Sequence, residues 1–259
     1  MSFLDFDYEL KLNFSSPVTD HRFILRCLPL RDLSQLPDAV EAEVFPHSSL
    51  WRSSAPNEGG TLMGSVDFEH TEFTARTRGR VFEREGNDTG APHFAYLHFT
   101  SVTEPNEFLR DVAKKFDRHS KNYNLALKAM EEVNSMLTYT ENATDSDTTA
   151  DEALRMKKGV CQDYAHIYCS LMRLLGVPTR YVAGLLKGVG ETHAWNECYL
   201  DGHWRAFDCT NDKPATNGYV KLAVGVDARQ CALNRGVFTP LLGKVAEQSQ
   251  RVRGRVETS

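Results

Sequence analysis

The chain lacks several features that define whole classes of protein. None of its 259 residues belongs to an apolar run long enough to span a membrane, and the first ten residues carry neither a basic region nor an unbroken apolar stretch. We therefore expect no transmembrane helix and no signal peptide. An internal repeat and a low-complexity segment are also missing. The length then suits one large domain or two modest ones, with an ample core.

An excess of positive charge and a cysteine framework are missing too. The net charge of -5 gives no electrostatic reason to expect binding to nucleic acid or to an anionic membrane. The six cysteines are scattered and include no C-x-x-C pair, which favours thiols in a reducing compartment. We therefore expect a cytoplasmic protein. The cysteines are Cys27, Cys161, Cys169, Cys198, Cys209 and Cys231.

Strand patterns dominate the first hundred residues. Between Phe6 and Phe14, apolar residues alternate with polar ones, which is typical of a half-buried strand. We predict further strands over residues 21–28, 71–83 and 93–100, and loops between them, as at 53–60. The sequence therefore predicts an N-terminal antiparallel β domain over residues 1–105. Its histidines at 47, 70, 93 and 98 show no i,i+4 pair, so we interpret them as surface or structural residues.

The pattern changes to helices and strands in residues 106–238. Apolar spacing predicts one helix around residues 109–116 and another around 126–137. The polar segment 138–149 is either a solvated connection or a flap beside the active site. We predict a strand at 179–186, a turn at 187–190 and a hairpin at 193–208. Residues 239–259 alternate weakly and are predicted to return to a sheet as a last strand.

A predicted helix between Gly159 and Gly176 carries Cys161 in its first turn. Apolar residues recur at helical spacing, Gly176 provides a left-handed end, and Pro178 prevents continuation. Unpaired N–H groups at a helix N-terminus stabilise a thiolate, so Cys161 is a candidate nucleophile. Its own N–H is a candidate donor to an oxyanion. The alternative is that Cys161 is a small core residue.

The predicted hairpin places a histidine and a carboxylate together. If Asp201 and Gly202 form a two-residue turn, Leu200 pairs with His203 and Trp195 with Asp208. His193 and Asp208 then lie diagonally on one face, close enough for a hydrogen bond that orients the imidazole. A one-residue bulge would move Asp208 to the opposite face. Trp195 shares the face of His193 and is either a wall of the site or a core residue.

Four segments of the sequence, in their order and spacing, resemble motifs of the bacterial transglutaminase-like superfamily. The resemblance covers most of the range from Tyr139 to Val226. It implies a papain-like α+β core, in which a cysteine helix packs on an antiparallel sheet, preceded in many members by a β domain. The segments are Gly159-Val160-Cys161-Gln162-Asp163-Tyr164-Ala165-His166, Gly176-Val177-Pro178-Thr179-Arg180-Tyr181-Val182-Ala183-Gly184, His193-Ala194-Trp195 and Asp208-Cys209-Thr210-Asn211.

The resemblance also implies a catalytic triad. Cys161 is expected to be the nucleophile, His193 the general acid and base, and Asp208 the residue that orients the imidazole. Tyr139 is a candidate second oxyanion donor. Cys209 stands where the family usually has proline, which frees the backbone after Asp208.

We therefore expect a cysteine-dependent amide-bond hydrolase, a peptidase or amidase that forms a thioester with a peptide or protein substrate. Two alternatives stay open: a crosslinking acyltransferase, and a non-catalytic peptide-binding protein that retains the fold. No cofactor is implied, and no carboxylate cluster resembles a calcium loop. A zinc site made of Cys161, Cys198 and Cys209 lacks metal-ligand spacing. We interpret His166 as structural and Cys169, Cys198 and Cys209 as packing residues.

Overall fold

The computed structural model describes residues 3–53, 60–84, 89–241 and 245–258 and shows an α+β protein with mostly antiparallel sheets. Its α-helices are α1 (Glu107–Ala113), α2 (Tyr123–Met136), α3 (Ala150–Met156) and α4 (Cys161–Leu174). Its strands are β1 (Phe3–Leu25), β2 (Gln35–Phe45), β3 (Ser49–Ser53), β4 (Thr61–Val66), β5 (His70–Glu83), β6 (Thr138–Tyr139), β7 (Lys158–Gly159), β8 (Thr179–Leu186), β9 (Gly188–Gly190), β10 (His193–Leu200), β11 (His203–Asp208), β12 (Lys213–Pro214), β13 (Tyr219–Gly225), β14 (Asn234–Pro240) and β15 (Gln248–Thr258).

The larger sheet is built around the long strand β1. Its strand order is β2-β5-β1-β15-β9, while β14 and β4 pair with the second half of β1 and β3 pairs with β4. The apolar side chains from Leu4 to Leu12 alternate into the core, as the pattern predicted. The predicted N-terminal antiparallel layer is present, and strands from the end of the chain complete it. The domain boundaries at 105 and 238 stay predictions.

Two local predictions differ from the structure, and strand β2 was not predicted. Residues 93–100 do not form a strand, because the His93 side chain accepts a hydrogen bond from Ala95 and begins a 3-10 helix over Phe94–Leu97. The predicted turn at 187–190 contains β9, which pairs with β15. The sequence pattern did not predict β2, because Pro37 and the charged residues of this strand interrupt the alternation of apolar and polar residues. Proline is tolerated there because β2 is an edge strand.

The smaller sheet carries the cysteine helix. Its strand order is β12-β11-β10-β8-β13. Helix α4 packs against β10 and is buried on nearly every side, because α1, α2 and α3 cover the rest of its surface. Gly176 follows the helix with φ +75°, a conformation that favours glycine. The helix predicted between Gly159 and Gly176 is therefore confirmed.

A buried cluster of charges joins the two sheets. The Lys221 ammonium group on β13 lies 3.1 Å from the Glu197 carboxylate on β10 and also contacts Asp32 in the loop after β1. Arg180 donates to Glu197 at 2.6 Å and lies over the Trp204 ring at 4.1 Å. Burial raises the pKa of Glu197, but Arg180 and Lys221 outweigh burial and hold it at about 2. Glu197 therefore stays ionised beside its two cationic partners, and the contact of Lys221 with Asp32 couples the N-terminal layer to the core.

Two histidines lie in an aromatic cage within the larger sheet. The rings of His21 and His70 stack at 5.4 Å, with His21 Nδ1 3.2 Å from His70 Nε2. Phe14 meets both rings edge-on, and Phe73 packs on His21. Burial and the neighbouring His70 lower the pKa of His21 from 6.5 to about 4. His21 is therefore neutral in the folded protein at neutral pH.

We predict that His21 makes the fold sensitive to acid. Because its folded pKa is depressed, its stabilising contribution is complete above pH 6.5 and is lost as pH falls through about 4. The loss in the free energy of unfolding should reach about 3 kcal/mol. Urea denaturation between pH 4 and 7.5 measures it, with the non-titrating variant His21→Gln as the comparison. Parallel pH profiles for the two proteins would contradict this prediction.

Candidate active site

The predicted hairpin register is confirmed. Leu200 pairs with His203 and Tyr199 with Trp204, and the same register continues to Asn196 and Phe207 without a bulge. His193 and Asp208 therefore meet on one face of the hairpin. His193 Nε2 lies 2.7 Å from Asp208 Oδ2. This leaves Nδ1 as the ring nitrogen that can serve another partner.

Cys161 is that partner. It is the first residue of α4 and is partly exposed, and it lies close enough to His193 to raise the pKa of the imidazole. The structure therefore brings together all three residues of the predicted triad.

Asn196, which the sequence analysis missed, fastens the hairpin to the cysteine helix. Its side-chain amide donates to the Ala165 carbonyl at 3.0 Å and lies 3.1 Å from Cys169 Sγ. A polar residue within a buried strand was the available signal for this role. Because Asn196 is three residues from His193 on the same strand, this contact fixes the position of the imidazole relative to α4.

The Asp208 carboxylate is fully buried and surrounded by donors. The backbone N–H groups of Thr210 and Asn211 donate to Oδ1 at 3.0 and 3.1 Å. The Asn211 amide and the Tyr219 hydroxyl donate to Oδ2 at 2.7 and 2.8 Å. The turn is therefore held firmly even though Cys209 replaces the usual proline. Neither Asn211 nor Tyr219 was predicted from the sequence as a partner of Asp208. An Asn three residues after an Asp in a turn was a usable signal, whereas Tyr219 gave none.

The electrostatics of the site favour a charged imidazole. Burial lowers the pKa of His193, but hydrogen bonds with Asp208 and Cys161 outweigh burial and raise it to about 9. Burial raises the pKa of Asp208, but His193, Asn211 and Tyr219 outweigh burial and lower it. The arrangement therefore suits an imidazolium paired with the Asp208 carboxylate.

The candidate site opens into a cleft of about 1450 Å³ whose lining includes Cys161 and His193. Tyr139 lines the cleft as well and is half exposed. Burial and the nearby Cys161 raise the pKa of Tyr139. The segment after Tyr139 forms one wall, where the Thr144 hydroxyl donates to the buried Asp163 carboxylate at 2.7 Å. Of the two interpretations of residues 138–149, the structure favours a segment beside the site.

The remaining predicted residues lie in the interior. Trp195 is buried and packs behind His193, with ring centroids 6.2 Å apart, so it does not wall the cleft. His166 is buried and accepts a hydrogen bond from the Ala228 N–H at 3.1 Å, as expected of a structural histidine. The other cysteines of this region, Cys169, Cys198 and Cys209, belong to the core clusters, and all six cysteines are thiols.

Neither a metal-binding cluster nor a membrane-spanning helix is found within the described residues. No three or more His, Cys, Asp or Glu side chains among them are grouped so that they could hold a metal ion. No helix among them is both long and apolar enough to cross a membrane.

Comparison with known proteins identifies the class of this core. Residues 110–209 match the model of the Transglutaminase-like superfamily. The resemblance predicted from the sequence motifs is thus confirmed over residues 110–209, which are similar to this superfamily.

Particular relatives extend the likeness along the chain. The protein ML0607 of Mycobacterium leprae is 26% identical over 253 residues, which cover 87% of this chain and 89% of that protein. A candidate cysteine protease from Cytophaga hutchinsonii has the same fold, with a TM-score of 0.79 and 22% identity over 99% of this chain and 90% of its own. Kyphoscoliosis peptidase of Homo sapiens is 36% identical over 69 residues, which cover 23% of this chain and 10% of the peptidase.

We predict that the raised pKa of His193 depends on Asp208. The imidazole should titrate near pH 9 in the native protein and move toward 6.5 in Asp208→Asn, because the anionic partner is lost. A raised folded pKa means that this contribution to stability is complete below pH 6.5 and disappears as pH rises through about 9. NMR titration of ¹⁵N-labelled imidazoles provides the measurement.

The matched control is Asp212→Asn, which removes an exposed carboxylate four residues away. It should leave the His193 titration unchanged. An equal shift in both variants would show that general charge, rather than the Asp208 hydrogen bond, sets the pKa of His193.

Proposed function

We propose that this protein is a cysteine-dependent amide-bond hydrolase that acts on peptides or proteins through a thioester. The observation that carries the proposal is the meeting of Cys161, His193 and Asp208 at the edge of an open cleft, with His193 Nε2 2.7 Å from Asp208 Oδ2. A nucleophile, a proton carrier and an orienting group in this order are what cysteine acyl transfer requires.

The first half of the reaction follows from this geometry. The Cys161 thiolate adds to the substrate carbonyl carbon, and the carbonyl electrons move onto oxygen. The N–H of Cys161 belongs to the first helical turn, where the helix offers no acceptor for it, so it can donate to this oxyanion. The Tyr139 hydroxyl in the same cleft is the proposed second donor. The His193 imidazolium then protonates the leaving nitrogen, the C–N bond breaks and a thioester remains.

The second half restores the enzyme. Neutral His193 takes a proton from water as the water oxygen adds to the thioester carbonyl. The C–S bond then breaks, the carboxylic acid leaves, and the proton taken from water stays on His193, which restores the thiolate–imidazolium pair. Asp208 remains a carboxylate throughout, because its hydrogen bonds stabilise the charged form. The open cleft gives water access to the thioester.

We predict that iodoacetamide labels Cys161 selectively at pH 7. A single adduct should appear by mass spectrometry and should be absent in Cys161→Ala. Cys231 provides the matched control because it lines the same cleft, yet burial raises the pKa of its thiol far above the ordinary value. Cys231→Ala should keep the adduct. Labelling that persists in Cys161→Ala would contradict a reactive Cys161 and would favour a non-catalytic protein.

We also predict that the acyl group is transferred to water. Protein substrates are incubated in H₂¹⁸O with and without a labelled primary amine, and the products are analysed by mass spectrometry. Hydrolysis places ¹⁸O in a new carboxyl group, and Cys161→Ala should reduce it about 10³-fold or more. Incorporation of the amine in place of ¹⁸O would instead identify a crosslinking acyltransferase.

A further inference from the structure

Strand β15 has an outer edge that only a short strand covers. It pairs with β1 along its whole length, whereas β9 pairs only with Gly254, Arg255 and Val256. Within the residues that the structure describes, no strand pairs with the outer edge of residues 248–253. Such an edge offers backbone donors and acceptors to another extended chain.

The register shows which backbone groups point outward. The Ser15 N–H donates to the Glu247 carbonyl at 3.0 Å, in the register that pairs Asn13 with Ser249. Hydrogen-bonded and non-hydrogen-bonded pairs alternate in an antiparallel ladder. The N–H and C=O groups of Ser249 therefore face β1. Those of the residues in the opposite phase, Gln248, Gln250, Val252, Gly254 and Val256, face away from it.

This edge lies in the same cleft as the candidate triad. Residues 250–253 line the cleft together with Cys161 and His193. Strand β9 continues through two residues directly into His193. Next to the edge, a Cβ added at Gly188 or Gly190 would meet nothing within 4 Å. A chain that extended the line of β9 along β15 would therefore lie in the cleft that Cys161 and His193 line.

The side chains along this edge indicate what kind of chain fits. The protein has a net charge of -5, yet basic residues outnumber acidic ones in the lining of the cleft: it includes Lys187, Arg229, Arg235, Arg251 and Arg253 against Glu141, Asp147 and Glu191. Arg251 and Arg253 are two apart on β15 and therefore project from one face. Carboxylates at alternate positions of a paired strand would lie beside them, and opposite charges on neighbouring strands are stabilising.

We propose that the substrate binds as an extended acidic peptide segment that pairs with the outward backbone groups of Gln250 and Val252. Binding of this kind is strand addition, in which main-chain hydrogen bonds supply affinity and alternate side chains supply specificity. It deepens the proposed function, on which it rests in taking a peptide as the substrate. The segment is held along β15 while Cys161 attacks a carbonyl in the same cleft.

The first test measures binding without turnover. The probe is a fluorescein-labelled octapeptide amide that alternates glutamate with threonine, and its Kd for Cys161→Ala is measured by fluorescence anisotropy. Adding Gln250→Pro to the Cys161→Ala protein removes an outward backbone N–H and leaves the backbone hydrogen bonds between β15 and β1 in place. It should raise Kd about tenfold. Gln248→Pro is the matched control, because its N–H also faces outward but the residue does not line the cleft. It should change Kd less than twofold.

The second test alters the peptide instead of the protein. Two versions are N-methylated, one at the glutamate amides and one at the threonine amides. In a paired strand, only alternate residues direct their backbone N–H groups toward β15. Methylation of those N–H groups should weaken binding about tenfold, and methylation of the other set should leave binding unchanged. A version with lysine in place of glutamate should also bind about tenfold more weakly.

Several outcomes would overturn strand addition at this edge. They are absence of binding, equal effects of the two proline variants, and equal effects of the two methylation patterns. A dimer of the native protein that Gln250→Pro dissociates would assign the edge to a second copy of the chain instead. The labelling and ¹⁸O experiments use the protein with an unaltered edge. Failure of the peptide tests alone therefore leaves the hydrolase proposal intact.

Discussion

The buried carboxylate of Asp208 is the group on which the geometry of the site depends. An unpaired charge in a protein interior would be strongly destabilising, so its donors must be in place when the chain folds. Here they come from β10, from the turn after β11 and from β13. Satisfying one carboxylate therefore fixes three separate segments, and the imidazole of His193 is held as one of the donors.

The support of His193 extends behind the ring through Trp195. A Cβ at Gly184 would lie 2.1 Å from the Val220 carbonyl and 2.6 Å from the Trp195 ring, so only glycine allows β8, β13 and the indole to approach this closely. The tryptophan in turn meets Tyr219 edge-on at 5.1 Å. The conformation of His193 is therefore set by packing on one side and by Asp208 on the other.

Local features of the site could be predicted from the sequence, because short-range physics determines them. Apolar spacing and the glycine at 176 define α4, and a two-residue turn at Asp201 and Gly202 sets the register of the hairpin. That register was sufficient to place His193 beside Asp208 without any knowledge of the fold.

Contacts between distant segments could not be predicted in the same way. The approach of Cys161 to His193 depends on packing between α4 and β10, and the contact of Tyr219 with Asp208 depends on the position of β13. The strand predicted over residues 93–100 was wrong for a different reason, since a side-chain cap at His93 outweighed the strand propensity of the segment.

The pairing of β1 with β15 also bears on how the protein reaches its native state. Phe6 and Val256 are direct neighbours in the larger sheet although about 250 residues separate them along the chain. Closing a loop of that size carries a large entropic cost, and contacts of such range are associated with slow folding. During synthesis, this edge of β1 stays unpaired until residues 248–258 have left the ribosome. An exposed apolar strand invites association with other chains in that interval, so we expect the nascent protein to depend on chaperones more than its size suggests.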